Sequence, residues 1–191
     1  MHAEVFLAEV AAIAKGIDAE KLERLVAELY ALRERGGRLF LIGLGGSAAN
    51  CSHAAADFRT LCDLDSYSLC DNFAAFSARA NDESFEESFS ILLRAMKLTP
   101  MDAILVLSVG GGTENVSRPI TTALRYARAM NARIIGIVGH QGGYTADLGN
   151  AVLRIPCVNE KHVTPHTEAF QAVIWHCLVS HPILQRNATK W

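Results

Sequence analysis

His53 and Asp57 stand four residues apart in an alanine-rich, helix-compatible run, which puts an imidazole and a carboxylate on one helix face. Taken alone, the pair also fits a surface ion pair or a satisfied core histidine. What gives it interest is its neighbour, the turn GLGGS over 43–47. A strand running through a glycine turn into a helix aims backbone N–H groups, the positive end of a helix dipole and the Ser47 hydroxyl at one spot, which suits an anion such as phosphate. An imidazole and a carboxylate one turn beyond a bound anion could hold a metal or move a proton. A second polar pair, Glu168 and His176, lies amid Ala169, Phe170, Ala172, Val173, Ile174 and Trp175. Polar groups on an otherwise buried helix need partners, and a metal is one way to supply them. Eight helical residues rise about 12 Å. The pair therefore reaches a single ion only if the side chains converge along the axis or the site is completed across a subunit boundary. His162, His166 and His181 have no partner at matching spacing and read as solvent-facing or structural.

A second glycine-rich stretch, SVGGGT over 108–113, follows another apolar run. Either loop alone could be ordinary tight turning. Two at the same edge of a parallel sheet favour a phosphorylated ligand. Gly43, Gly45 and Ala48 also satisfy G-x-G-x-x-A, with Asp71 where a ribose-binding acid would sit, but the dinucleotide reading makes no use of His53 or Asp57.

The elements that must position these groups alternate in a regular way. Apolar residues at helical spacing predict helices over 2–15 (Ala3, Phe6, Val10, Ile13) and 18–35 (Leu22, Leu25, Val26, Leu29, Leu32). Strands are expected over 38–42, 66–70, 103–108, 133–138 and 151–155, with helices over 83–96, about 114–130 and a short one within 139–148. Phe85, Phe89, Ile91, Leu92 and Leu93 are the buried candidates of the helix over 83–96. Thr164-Pro165 reads as an N-cap with Pro at the first helical position of a long apolar helix ending near Pro182, and residues from Asn187 are expected to fray. Strands and helices alternating at these lengths make βαβ units. The expected fold is α/β, a five-stranded parallel doubly wound sheet of flavodoxin-like type, with an N-terminal helical pair whose spare apolar surface covers the sheet or joins subunits.

Length and composition set the outer bounds. With 191 residues, half of them apolar, and a formal charge of -2, one domain with one well-buried core is expected, and neither disorder nor nucleic-acid binding is indicated. The odd, scattered cysteines, Cys51, Cys62, Cys70, Cys157 and Cys177, and an N-terminus without signal character favour a reducing cytoplasm. No apolar run approaches the roughly 20 residues of a membrane span. A soluble protein without a membrane partner is expected.

Together these stretches resemble the sugar isomerase (SIS) domain family and, within it, the phosphoheptose isomerases that make heptose for bacterial lipopolysaccharide or other surface glycans. The resemblance spans nearly the whole chain, 1–191 as one SIS domain, and rests on GLGGSAANCSHAAADF, Asn81-Asp82, the Ser108 loop, HQGGY near Gly142 and the helix over 168–176. It implies a homotetramer with active sites between subunits, in which residues 1–36 serve packing or oligomerisation. It places zinc, or another divalent transition metal, on His53, Asp57, Glu168 and His176. Phosphorylated-sugar contacts fall on Leu44, Gly45, Gly46, Asn81, Asp82, Ser108, Val109, Gly110, Thr113 and Glu168, with Ser47 at the mouth of the phosphate site.

The implied reaction is aldose-ketose isomerisation through an enediol, nominally of sedoheptulose 7-phosphate, with Asp57 as base and His176 as acid. The sequence also departs from the family pattern, which usually has Asn at Leu44, Glu at Asp57, Gln at Glu168 and a hydroxyl-rich run in place of SVGGGT. Backbone N–H groups of residues 110–112 are expected to form an anion nest in compensation. The departures keep a rival open: a non-catalytic SIS module that senses a sugar phosphate or docks a replication initiator.

Overall fold

The computed structural model describes residues 1–190. Strands β1 (Leu39–Ile42), β2 (Ser66–Ser68), β3 (Ala103–Ser108), β4 (Arg133–Gly139) and β5 (Ala151–Ile155) pair in parallel in the order β2-β1-β3-β4-β5. The chain winds outward in one direction to β2 and then in the other to β5. The order reverses between β1 and β3, so the glycine loops that follow these two strands open onto a common crevice.

Side chains alternate across each strand and so feed two apolar layers. Leu39, Leu41, Leu105 and Leu107 pack with α1 (His2–Gly16), α2 (Ala19–Glu34), α3 (Gly46–Cys62) and α8 (Val163–Val179). Phe40, Ile42, Ile104 and Val106 pack with α5 (Ser88–Ala95) and α6 (Arg118–Ala129). This is the doubly wound α/β architecture expected from the alternation of elements. The N-terminal pair is also present. Asp18 caps α2 by accepting from the Lys21 N–H, whereas α1 buries only Ile13 and leaves Val5 and Leu7 exposed.

The differences from the sequence reading have local causes. The helix expected over 83–96 is the shorter α5, and it is preceded by helical structure that was not expected, α4 (Phe73–Arg79) and a π-helical turn (Ala80–Ser84). Asn72 starts α4 by accepting from the Ala75 N–H, an N-cap signal that strand and loop patterning obscured. Phe85 then falls in the bend and is 49 % exposed, while Phe89 and Leu93 are fully buried. α6 starts at Arg118 because Thr113 and Val116 close a turn, with the Val116 N–H donating to Thr113 Oγ1 at 2.9 Å and the Thr113 N–H to the Val116 carbonyl at 2.9 Å. α7 (Gly143–Leu148) is the short helix expected within 139–148.

A 3-10 turn (Glu160–His162) leads directly into α8, so Pro165 lies at the third helical position, not the first. The first turn has no intrahelical acceptor to lose, and Pro fits there as well. Nor does the tail fray from Asn187. The Arg186 and Asn187 N–H groups both donate to the Leu61 carbonyl, and Asn187 Nδ2 donates to the Thr60 carbonyl at 2.8 Å. Only Trp191 of that expected segment lies outside the described residues.

Asp102, just before β3, ties two strand entrances together. It is 2 % exposed and accepts from the Arg38 N–H and guanidinium and from the Thr99 N–H and hydroxyl. Burial would raise its pKa, but the Arg38 and Thr99 hydrogen bonds outweigh it and hold the carboxyl below the ordinary value of 3.8. A carboxyl depressed on folding stabilises the fold above its unfolded pKa, and that stability disappears as pH falls through the folded value. Asp102→Ala removes the anionic partner of Arg38 and leaves its guanidinium on the Met96 and Lys97 carbonyls, and is expected to cost about 1–3 kcal/mol in urea unfolding at neutral pH. The difference from the parent should shrink below pH 3.8.

Candidate active site

α3 and α8 lie side by side, and their packing brings His53, Asp57 and His176 together. One ligand-capable atom from each lies within 4.8 Å of the other two. His53 Nε2 is 3.6 Å from Asp57 Oδ2, and the His53 and His176 rings are 5.5 Å apart at 89°. Asp57 is half-buried and the histidines are exposed. The His176 ring is oriented by two contacts: it stacks on buried Trp175, and its Nδ1 is 2.8 Å from the Ala172 carbonyl. A carbonyl only accepts, so Nδ1 carries the proton and Nε2 keeps its lone pair. This fixes a metal-binding or proton-carrying nitrogen without any further side chain.

Zinc bonded to nitrogen and oxygen at 2.0–2.2 Å spaces its ligand atoms by roughly 3.3–3.6 Å. The His53 to Asp57 spacing of 3.6 Å meets that requirement, and a set of two histidines and one carboxylate leaves a coordination position for a second oxygen. The three residues therefore fit a divalent transition metal. They line a cleft of about 770 Å³ whose other walls include Thr60, Val179 and Ser180, together with Gln185, Ala188, Thr189 and Lys190 of the tail.

Glu168, expected as the fourth ligand, is elsewhere in the same protomer. The eight-residue rise along α8 carries it to the start of α3, where a side chain on Gly46 would come within 2.5 Å of its carboxylate. The glycine is required for this approach. Asn50, which the sequence reading did not single out, holds the backbone here by donating to the Glu168 carbonyl at 3.0 Å and to Gln171 Oε1 at 3.1 Å. Asn50 is one turn beyond the glycine loop, and that spacing was the available signal. Glu168 thus faces the N-terminal end of α3 and the three-residue cluster lies two turns further along.

The two loops differ in what they offer. Gly45 caps α3 without a side-chain bond, which leaves the first N–H groups of the helix to a ligand. Ser47 is buried at its base, and Leu44 packs its side chain against the Phe40 and Ile42 layer, so only the Leu44 backbone is presented. In the second loop the nest expected over 110–112 is partly used up. The Gly111 N–H donates to Ser108 Oγ at 3.0 Å, and the Val109 carbonyl accepts from Gly139. Thr113 Oγ1 accepts from the Asn115 and Val116 N–H groups, and Gly110 stays half-buried with open space around its Cα. Asn81 and Asp82 are exposed in the π-helical turn and bond each other at 2.7 Å. Asp71, the acid of the dinucleotide reading, accepts from Ser52.

Against this geometry the family can be stated. A family model described as SIS domain matches residues 5–139, and the chain belongs to that family. The match ends with β4, so α8, with Glu168 and His176, lies beyond it. Within the family the chain is similar to a phosphoheptose isomerase of Paramagnetospirillum magneticum, at 30% identity over 90% of this chain and 87% of that one. It is 33% identical to the lincomycin biosynthesis protein LmbN of Streptomyces lincolnensis over 76% of this chain, and spans 56% of the length of LmbN. The fold superposes on phosphoheptose isomerase GmhA from Neisseria gonorrhoeae with a TM-score of 0.82, covering 93% of this chain and 96% of that one at 21% identity. Among the described residues no helix is long and apolar enough to cross a membrane.

Proposed function

We propose that this protein is a phosphosugar isomerase that interconverts an aldose phosphate and a ketose phosphate, with sedoheptulose 7-phosphate and glycero-manno-heptose 7-phosphate as the nominal pair. The convergence of His53, Asp57 and His176 on one point, two turns along α3 from the glycine loop, carries this reading. Asp57 takes the proton from the carbon next to the carbonyl, giving an enediol. His176 Nε2, in the orientation set by the Ala172 carbonyl, serves either the metal or the proton on the neighbouring oxygen or carbon, since its one lone pair does not do both at once. Zinc held by His53, Asp57 and His176 would polarise the carbonyl and hydroxyl oxygens. Glu168, at the head of α3, orients sugar hydroxyls, or joins the metal of a neighbouring subunit. The start of α3, Ser47, and the loop from Ser108 to Thr113 hold the phosphate, and Leu44 contributes its backbone alone. Asn81 and Asp82 reach substrate from their exposed turn. The protein works in the cytoplasm as a homotetramer whose α1 faces, bearing Val5 and Leu7, are covered between subunits.

Incubating the purified chain with heptose and other sugar phosphates in deuterated water tests the reading. Deuterium entering the carbon next to the carbonyl, with one equivalent of metal at His53, Asp57 and His176, is the expected result. Tight phosphosugar binding with no exchange on any of them would instead establish a sensor. Failure to bind any phosphosugar would leave a docking module, the reading that the inward-turned donors of Gly111 and Thr113 favour, since they leave a phosphate fewer partners.

A further inference from the structure

The start of α8 carries a second cluster that the isomerase reading does not use. Glu9 of α1 reaches across so that its Oε2 lies 2.7 Å from His162 Nδ1 and 2.8 Å from His166 Nε2. One ligand atom from each residue falls within 4.8 Å of the others. The sequence could not pair these histidines because their carboxylate lies more than 150 positions away, on the N-terminal helix.

Asn159 makes the cluster more than a pair of hydrogen bonds. Its Oδ1 accepts from the Lys161 N–H at 3.0 Å, and its Nδ2 donates to Glu9 Oε1 at 2.7 Å, so the orientation of the amide is fixed. That same Nδ2 lies 3.1 Å from His162 Nδ1. Without a metal, His162 Nδ1 and His166 Nε2 each place a proton on the same carboxylate oxygen, Glu9 Oε2, while the amide N–H goes to Oε1. A cation among His162 Nδ1, His166 Nε2 and Glu9 Oε2 takes the place of those two protons, each atom presenting a lone pair to it. The ligand atoms then move apart by about 0.5–0.9 Å, from hydrogen-bond spacing to that of zinc ligands. Asn159 becomes the outer hydrogen bond that orients the carboxylate, as metal ligands generally have. His166 is 3 % exposed, and the Phe6 ring lies 4.4 Å from it and 5.5 Å from His162, so the pocket is sheltered. The His2 ring stands edge-on to that of His162, 5.8 Å away, at the margin of the cluster.

We propose that Glu9, His162 and His166 form a second divalent transition-metal site, of the zinc type, that staples α1 to the head of α8. The donor set, two imidazoles four residues apart and one carboxylate, matches zinc in type. The site is separate from the cluster of His53, Asp57 and His176: His166 and Glu168, two residues apart on α8, point to different sides of the helix. Its role is structural. α1 buries little apolar surface of its own, and a metal at its middle, on Glu9, fixes the position of the exposed face carrying Val5 and Leu7.

The test begins with full-length His53→Ala/His176→Ala protein, stripped with chelator and titrated with zinc. This chain is expected to retain one equivalent of zinc, to show cobalt(II) d–d absorption when cobalt replaces it, and to gain at least about tenfold amide-exchange protection across α1, the change that roughly 1.4 kcal/mol of local stabilisation produces. Adding Glu9→Gln and His162→Ala should abolish the retained equivalent and the cobalt band. Absence of zinc from the His53→Ala/His176→Ala chain, or zinc uptake without protection of α1, overturns the proposal. So does zinc that survives the Glu9 and His162 replacements. The α1 exchange measurement needs neither of those replacements and stands even if they prevent folding. Isomerase activity is not read at any stage, so failure here and failure of the isomerase reading are separate results.

Discussion

Asp57→Asn and His176→Ala are each expected to lower isomerase turnover by about 100- to 10,000-fold, the range that a positioned acid or base contributes. Asn has nearly the shape of Asp but neither takes a proton nor supplies a negative ligand, so Asp57→Asn removes base and metal charge without opening a cavity. His176→Ala removes the nitrogen that the Ala172 carbonyl keeps unprotonated. Both side chains reach solvent, so folding stability should stay within about 0.5 kcal/mol of the parent. Deuterium exchange from solvent and metal content are the measurements. Loss of both confirms that the groups act at the reacting carbon and on the ion. Exchange at the parental rate in either variant would remove that residue from the mechanism, and parental rates in both would leave a sugar-phosphate holder.

Gly111→Ala is the second change with a large expected effect, and it acts on the phosphate side. Gly111 has φ +72°, and a Cβ there would stand 1.9 Å from the Gly142 carbonyl oxygen, which cannot yield without moving the turn before α7. The Gly111 carbonyl accepts from both the N–H and the hydroxyl of Thr145, so the loop after β3 and the start of α7 are locked face to face. The left-handed backbone strain costs about 1–3 kcal/mol, and forcing the two segments apart adds about 1–3 kcal/mol. The Ser108 hydroxyl bonded to the Gly111 N–H moves with them. The expected result is a lower unfolding midpoint in urea and a KM for phosphorylated sugar raised by at least tenfold. Gly110→Ala is the control: a Cβ there meets nothing within 4 Å and its φ is not positive, so stability should be nearly unchanged. Equal behaviour of the two variants would show that the loop does not depend on the contact with Gly142.

The sequence by itself determined the sheet and the two loops. Unbroken apolar runs in 39–42 and 103–108, helical periods between the strands and glycine after β1 and β3 are local signals, and they specify which segments become buried strands and where the turns fall. Phosphate-loop departures such as Leu44 and Val109 were legible for the same reason. The helix breaks near Asn72 and Ser117 were not. Each is set by one capping or turn hydrogen bond that competes with a propensity spread over many residues.

Only the tertiary structure decided which polar groups meet. His53 and His176 are 123 positions apart and are joined because α3 and α8 pack side by side; the spacing of Glu168 and His176 on one helix invited a shared ion, but the rise of that helix carries Glu168 to Gly46 instead. Glu9 finds His162 and His166 in the same way, through the docking of α1. A helix records in its sequence which face is apolar, but the partner of a polar residue on that face is fixed by how helices from distant parts of the chain are laid against the sheet, and that arrangement has no local signature.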